Sequence, residues 1–188
     1  MERGIKNGLI ILSIVSFIVI WTLLMKTLPP EKIINIIGIK NGYLIVFLVA
    51  LLGGLTSFTG VSYYLIIITL TSGGLNPILL GIIGGTGGLI SDGVFFFLGS
   101  KFGESITNDK RSKINKISKW LHEKPKWVVP VIVFFYLGLT PLPNDLITLS
   151  LGTLKYKFKQ IAIPIWFGNI VSTIIFAYLG ASLLNIFI

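Results

Sequence analysis

The 188-residue chain contains no cysteine. That excludes disulfides, thiol catalysis and cysteine-based metal sites together. One histidine and seven scattered Asp and Glu leave little material for a metal centre, and none is expected. Charge itself is scarce. Only 12% of residues are Asp, Glu, Lys or Arg, against about 25% in an average soluble domain. No Asp, Glu, Lys, Arg or His occurs from Asn41 to Ser91, a run of 51, nor from Gln160 to Ile188. A soluble fold cannot hide that much apolar chain, so the sequence reads as an integral membrane protein. Ser-His-Asp sets, paired carboxylates and Gly-rich phosphate loops are also missing. No enzyme and no cofactor are expected.

What charge there is leans one way. Sixteen Lys and Arg against seven acids give a formal net charge of +9. On a soluble chain that excess would point to nucleic acid, but its distribution points elsewhere. Arg3 and Lys6 precede a long uncharged run, Leu9–Met25. This run exceeds the usual signal-peptide core of about 7–15 residues, and no small-x-small cleavage site follows it. Residues 8–28 are therefore expected to be a retained transmembrane helix that also serves as a signal anchor.

The uncharged run from Asn41 to Ser91 is too long for one crossing. As helix it would span about 77 Å, against a hydrocarbon core of about 30 Å. Ser72-Gly73-Gly74 followed by Asn76-Pro77 is a break-and-restart signal. Upstream, residues 53–60 interrupt the run with three glycines and Thr56, Ser57 and Thr59. The flanking pieces reach only from Tyr43 to Leu52 and from Val61 to Thr71. Each would cover about 16 Å as helix, roughly half the core, so a re-entrant hairpin fits better than a full span. Irregular backbone at that depth needs protein or water around it. The second half repeats the plan. Trp127–Thr140 is broken by Pro141-Leu142-Pro143-Asn144-Asp145, Leu146–Leu154 returns, and a long uncharged segment follows.

Local echoes support an internal repeat. Gly54-Leu55-Thr56 recurs as Gly138-Leu139-Thr140, Gly73 with Leu75 as Gly152 with Leu154, and Phe95-x-x-Leu98-Gly99 as Phe176-x-x-Leu179-Gly180. The offsets are 84, 79 and 81. A hairpin plus one span crosses the membrane an odd number of times, so two such units must be inverted, as in many secondary transporters. The expected fold is an all-α integral membrane protein. Its N-terminal transmembrane helix and connecting segment occupy 1–42, and 43–187 form the transmembrane domain. That domain divides into repeat one (43–102), a linker helix (103–126) and repeat two (127–187). With the N-terminus cytoplasmic, thirteen bases face inside and three, Lys26, Lys32 and Lys40, face outside. Five ordinary spans give a weaker bias, 11 against 5.

Eight of those thirteen bases lie between Lys101 and Lys126, where Ile114, Ile117, Trp120 and Leu121 alternate with Lys113, Lys116 and Lys119. That is a basic amphipathic helix expected to lie on an anionic leaflet. It serves either as a topology signal and membrane float or as a headgroup reader. His122 receives no role.

Asp92 and Asp145 are the two acids furthest from loop charges, and an acid near the bilayer centre costs about 2.5–3.5 kcal/mol on insertion scales. Asp145 follows Pro141, Pro143 and Asn144, where a half-helix should begin. Its exposed N–H groups and positive dipole end suit a phosphate or carboxylate, while Asn144 or Asp145 can also simply cap it. An ionised Asp145 competes with an anionic ligand, and a protonated one admits it, which would couple a proton to transport. Asp92, beside Gly87, Gly88 and Gly93, is either a proton or cation site or an interfacial acid. Asn169 stands similarly in the second span, and the two are expected to be pseudo-symmetric lining residues.

Asp92-x-x-x-Phe96-x-x-Gly99-x-x-x-Gly103 resembles the D-x-x-x-Y-x-x-G-R-x-x-G signature of the DedA family, also called VTT-domain proteins. Thr140 to Asp145 through Gly152 resembles that family's proline-containing re-entrant motif, and Phe158 and Gly168-Asn169 also fit. The likeness covers about residues 45–185. It implies an inverted-repeat fold with two re-entrant hairpins. It also implies translocation of lipid such as a phospholipid or polyprenyl phosphate, often linked to the proton gradient. Thr56, Ser57, Thr140, Pro141, Pro143, Asn144, Asp145 and Asn169 are the expected path, with Asp92 and Asp145 for coupling. Lys113, Lys116, Lys119 and Trp120 are the expected surface contacts. Partners would be membrane lipids and anionic headgroups, with a proton or cation and a homo-oligomer left open, in the plasma membrane of a prokaryote. The chain departs from the family where Gly138 and Asn144 stand near arginine positions around the second-hairpin proline. Two alternatives stay open: a proton- or cation-coupled transporter of a small solute, and a non-transporting interaction module.

Overall fold

A computed structural model of the chain describes residues 30–53, 59–104, 118–121, 123–140 and 142–187, with Ser16 and Ile20. Every regular element among the described residues is helical. They are α1 (Pro30–Ile37), α2 (Ile39–Gly53), α3 (Thr59–Ser72), α4 (Pro77–Glu104), α5 (Val128–Leu139), α6 (Asn144–Thr153) and α7 (Phe158–Phe187). Residues 8–28 fall outside the described residues apart from Ser16 and Ile20. The connecting segment after them is itself helical: α1 ends where Gly38 takes φ 83° and the chain restarts as α2.

Helix length divides the elements into two kinds. The helices α4 and α7 have 28 and 30 residues, about 42 and 45 Å of helix, and both are long and apolar enough to cross a membrane. Their outer faces expose Ile82, Phe97, Ile163 and Leu179, among others, as a lipid-facing surface requires. By contrast α2, α3, α5 and α6 have 15, 14, 12 and 10 residues, all short of the roughly 20 needed. The first short pair is longer than its sequence pieces suggest, because helix already runs through Ile39–Tyr43 and starts again at Thr59. The sixth helix begins at Asn144, ahead of the expected Leu146, since Pro143 already holds a helix-initiating φ of −59°.

The short pairs double back. Tyr43 Oη, near the start of α2, accepts from the backbone N–H of Asn76, just before α4. Val129, near the start of α5, shares a buried cluster with Tyr156 and Ile161 at the start of α7. Each pair packs across the molecule: α3 against α7, and α6 against α4, while α4 and α7 pack on each other. Close contact depends on glycine. Gly99 of α4 lies against the backbone of Leu149, and Gly180 of α7 lies against Ile68. Both partners differ by the same interval, since 180 − 99 and 149 − 68 are each 81.

The same interval relates the turns that leave the two short pairs. Gly73, Gly74 and Leu75 donate to the carbonyls of Thr69, Thr71 and Leu70, and Leu154, Lys155 and Tyr156 donate to those of Ser150, Gly152 and Leu151. The left-handed residue in each is Gly74 (φ 98°) and Lys155 (φ 58°). Gly73 therefore corresponds to Leu154 and not to Gly152. The offset of 79 read from the sequence becomes 81.

Two apolar clusters result. One joins Leu70, Leu75, Leu80 and Ala177, the other Leu151, Tyr156, Ile161 and Phe96. Each takes its last member from the long helix of the opposite half. Polar residues collect midway along α4 and α7, between these clusters.

Candidate polar site between the long helices

Asp92 stands midway along α4 and is 3% exposed. It can lie so close to α7 because Gly85 and Gly88 bring the helices together. A Cβ on Gly85 would sit 3.0 Å from Ile170 N, and one on Gly88 would sit 2.9 Å from Asn169 Nδ2. Asn169 Nδ2 donates to Asp92 Oδ2 at 2.7 Å, and Asn144 Nδ2 donates to Asn169 Oδ1 at 2.9 Å. One hydrogen-bonded line thus runs from the N-terminus of α6 through α7 to α4. A carboxylate only accepts, which fixes the Asn169 amide with its nitrogen toward Asp92.

Asn144 does not cap α6. The position before the helix belongs to Pro143, which offers no side-chain acceptor, and the Asn144 amide is turned to Asn169 instead. Asp145 stands in the first turn, where a negative charge meets the positive end of the helix. It is half-buried. Thr148, fully buried, bonds back to the carbonyls of Asn144 and Asp145 at 3.2 and 3.3 Å. Tyr136 Oη donates to the Pro143 carbonyl at 3.3 Å, tying α5 to the start of α6.

Opposite this line, α3 is held to α7 by a tandem of tyrosines. Tyr63 Oη bonds to Thr173 Oγ1 at 2.8 Å and Tyr64 Oη to Ser172 Oγ at 2.9 Å. Thr173 already donates to the Asn169 carbonyl, so Tyr63 is the donor in its pair. Tyr64 stacks on Phe176 with ring centroids 3.9 Å apart. Ser91, beside Asp92, is 2% exposed, and its Oγ has no partner among the described residues.

Of the residues expected from sequence, Asn144, Asn169 and Asp92 come together, and Asp145 lies beside them. Asp92 and Asn169 bond to each other. Thr140 ends α5 in extended backbone, its Oγ1 donating to the Tyr136 carbonyl at 2.6 Å, and does not join the line. Thr56, Ser57, Pro141, Lys113 and Lys116 lie outside the described residues, as does His122. Lys119 and Trp120 are exposed, with Lys119 4.0 Å from Glu123 and Lys124 over the Trp120 ring. Ser118 Oγ donates to the Leu154 carbonyl, which ties this turn to the loop leaving α6.

Ser91, Tyr63, Tyr64, Ser172 and Thr173 escape a reading of the sequence alone. Their signal is present there, because Ser91-Asp92 and Ser172-Thr173 are separated by the same interval as Phe95 and Phe176.

Two long apolar helices around a buried polar layer, with short helix pairs packed across them, define an all-helical membrane protein. A VTT-domain family model matches residues 62–182, and the chain belongs to that family. Neither a curated protein nor a solved structure matches it.

Proposed function

We propose that the chain is a multi-pass lipid translocase, a flippase or scramblase, whose headgroup path passes the polar layer between α4 and α7. In this reading α2–α3 and α5–α6 are re-entrant hairpins of two inverted repeats, with the N-terminus cytoplasmic. The observation that carries it is the line Asn144–Asn169–Asp92, a continuous hydrogen-bonded track within the buried polar layer, lying midway along helices of membrane-spanning length. A polar headgroup crossing hydrocarbon needs such partners in place of water. The contacts repeated at a fixed interval support the repeat, and the positive end of α6 supports binding of a headgroup oxygen. Thr56, Ser57, Thr140, Pro141 and Pro143 belong to the same path in this reading, and Lys113, Lys116, Lys119 and Trp120 to an anionic surface. Asp92 and Asp145 would carry the coupling proton or cation.

The test is purified protein in liposomes carrying fluorescent lipid on both leaflets. The protein should expose inner-leaflet lipid to an external quencher, and Asp145→Asn should slow that exposure. Movement no faster than in empty liposomes defeats the reading. A second reading, a cation-coupled carrier of a small solute, is favoured by one observation: residues 41–100 and 127–154, which hold Asp92 and Asp145, contain no Lys, Arg or His. Uptake indifferent to the ion gradient would argue against it.

A further inference from the structure

The helices that open the two short pairs repeat their contacts at a second interval. A Cβ on Gly87 would meet Phe47 O, Ala50 Cβ and Leu51 N, and one on Gly168 would meet Phe134 O, Leu137 Cβ and Gly138 N. The long helices keep their 81 here, since 168 − 87 is 81, but 134 − 47, 137 − 50 and 138 − 51 are each 87. Val46 and Val133, both fully buried, stand 87 apart. So do the members of two exposed stripes, Leu44, Leu48 and Leu52 on α2 and Val131, Phe135 and Leu139 on α5. Followed back along the chain, the interval pairs Ile34 of α1 with Leu121, and each packs on the apolar cluster of its own half. Lys32 then corresponds to Lys119 and Ile33 to Trp120. The first half thus has in α1 an equivalent of the linker turn that precedes α5.

At the open end of the α2–α3 pair, α1 packs Ile34 among Leu70 and Leu75, where the chain leaves α3. A bend lets it take that place. Gly38 adopts φ 83° and its N–H donates to the Ile34 carbonyl, while Asn41 Nδ2 donates to the Ile37 carbonyl at 2.8 Å. Two of the carbonyls that end α1 are therefore satisfied within the chain, as a helix end in a water-poor interface requires. Around α1, Ile34 is buried, Ile33 and Ile37 are half-buried, and Lys32, Asn35 and Ile36 are exposed. Ile36 and Asn35 stand about 100° apart on the helix, so one exposed edge is apolar and the other polar. Ile36 is 71% exposed, and the exposed Ile39 and Leu44 carry apolar surface on from it into the stripe of α2.

We propose that α1 is an in-plane membrane-surface helix whose partner is the acyl-chain boundary of one leaflet, with Ile36 and Ile39 among the lipid chains and Asn35 toward the headgroups. Two observations choose this occupant. The exposed isoleucines lead directly into the lipid-facing stripe of α2, and a helix with one apolar and one polar edge lies in the interface plane. The second is a difference between the halves. At the positions where the linker turn presents Glu123 and Lys126, the first half presents Ile36 and Ile39, all four exposed. The linker turn meets charged headgroups, and α1 meets hydrocarbon whatever the charge of the lipid. The proposal rests on the re-entrant reading of α2–α3 only for placing the open end of that pair at a leaflet surface.

Ile36→Cys, Ile39→Cys and Asn35→Cys each place the only thiol of the chain at an exposed position, so none disturbs the packing. Each full-length variant is spin-labelled and reconstituted in phosphatidylcholine vesicles. Collision of the label with oxygen, which concentrates in lipid, is compared with collision with a water-soluble nickel chelate. The oxygen-to-nickel ratio should be several-fold higher at the Ile36 and Ile39 positions than at Asn35, and adding phosphatidylglycerol should leave it unchanged. Equal ratios at the three positions overturn the lipid contact. A ratio at the Ile36 position that turns lipid-like only with phosphatidylglycerol overturns the acyl partner in favour of anionic headgroups. Shielding of the Ile36 and Ile39 positions from both reagents overturns it in favour of a protein partner. Lipid movement plays no part in this measurement. Failure of the α1 contact therefore leaves the translocation reading standing, and vesicles that show the contact without translocation remove that reading alone.

Discussion

Asn169 serves two partners at once, giving its amide nitrogen to Asp92 and its amide oxygen to Asn144. Removing it strands both. Asn169→Ala leaves a buried carboxylate without its donor and an amide without its acceptor, a loss of about 3 kcal/mol. Asp92→Asn should cost far less, because an amide oxygen still accepts from Asn169 and a buried charge disappears. Thermal unfolding in detergent reads both. An Asn169→Ala variant within about 0.5 kcal/mol of the parent would remove the line's structural role.

Glycines at the helix crossings should differ sharply in tolerance. A Cβ on Gly152 would collide with the backbone of Phe96, which cannot rotate away, whereas one on Gly138 would meet nothing closer than 3.6 Å. Gly152→Ala should therefore lower stability by about 1–3 kcal/mol, the usual cost of overpacking. Gly138→Ala should leave it nearly unchanged. Comparable losses in the two variants would mean that α4 and α6 are not in the contact described.

Gly74 isolates backbone strain from packing. Its φ is 98°, and an added Cβ there has no atom within 4 Å. Gly74→Ala should destabilise by about 1–2 kcal/mol from conformation alone. Its counterpart Lys155 tolerates the left-handed turn while its Nζ donates to the Ser100 carbonyl at 2.9 Å. A neutral Gly74→Ala would show that this turn takes another backbone.

Much of this arrangement is legible in the sequence, and what escapes it has a physical cause. Missing charge and the breakers near Gly73 and Pro143 mark where helices stop, since backbone at membrane depth has few alternatives. Asp92, Asn144 and Asn169 stand out because polar residues there are costly. Their bonding does not stand out, because helix rotation decides which side chains meet and an offset of a few residues changes it. Matching glycine with glycine slips the register by two positions, because Lys155 occupies the left-handed position that Gly74 holds in the first half. Tyr63 and Tyr64 pass as ordinary members of an apolar run until their hydroxyls are seen against Thr173 and Ser172.

The absence of cysteine makes the topology directly testable. Single cysteines at Lys40, Asn76, Lys126 and Lys157 introduce the only thiols in the chain, and all four positions are exposed. If α2–α3 re-enters, Lys40→Cys and Asn76→Cys react with a membrane-impermeant maleimide from the same side. The bond between Asn76 N–H and Tyr43 Oη already holds the two ends of that pair together. If α5–α6 re-enters, Lys126→Cys and Lys157→Cys react together from the opposite side, the one that carries thirteen of the sixteen bases. Helices of 15, 14, 12 and 10 residues measure about 15–23 Å. None of them reaches across a core of about 30 Å without thinning it. Labelling of Lys40→Cys and Asn76→Cys from opposite sides would make α2–α3 a single bent span, and the inverted pair of repeats would fall with it.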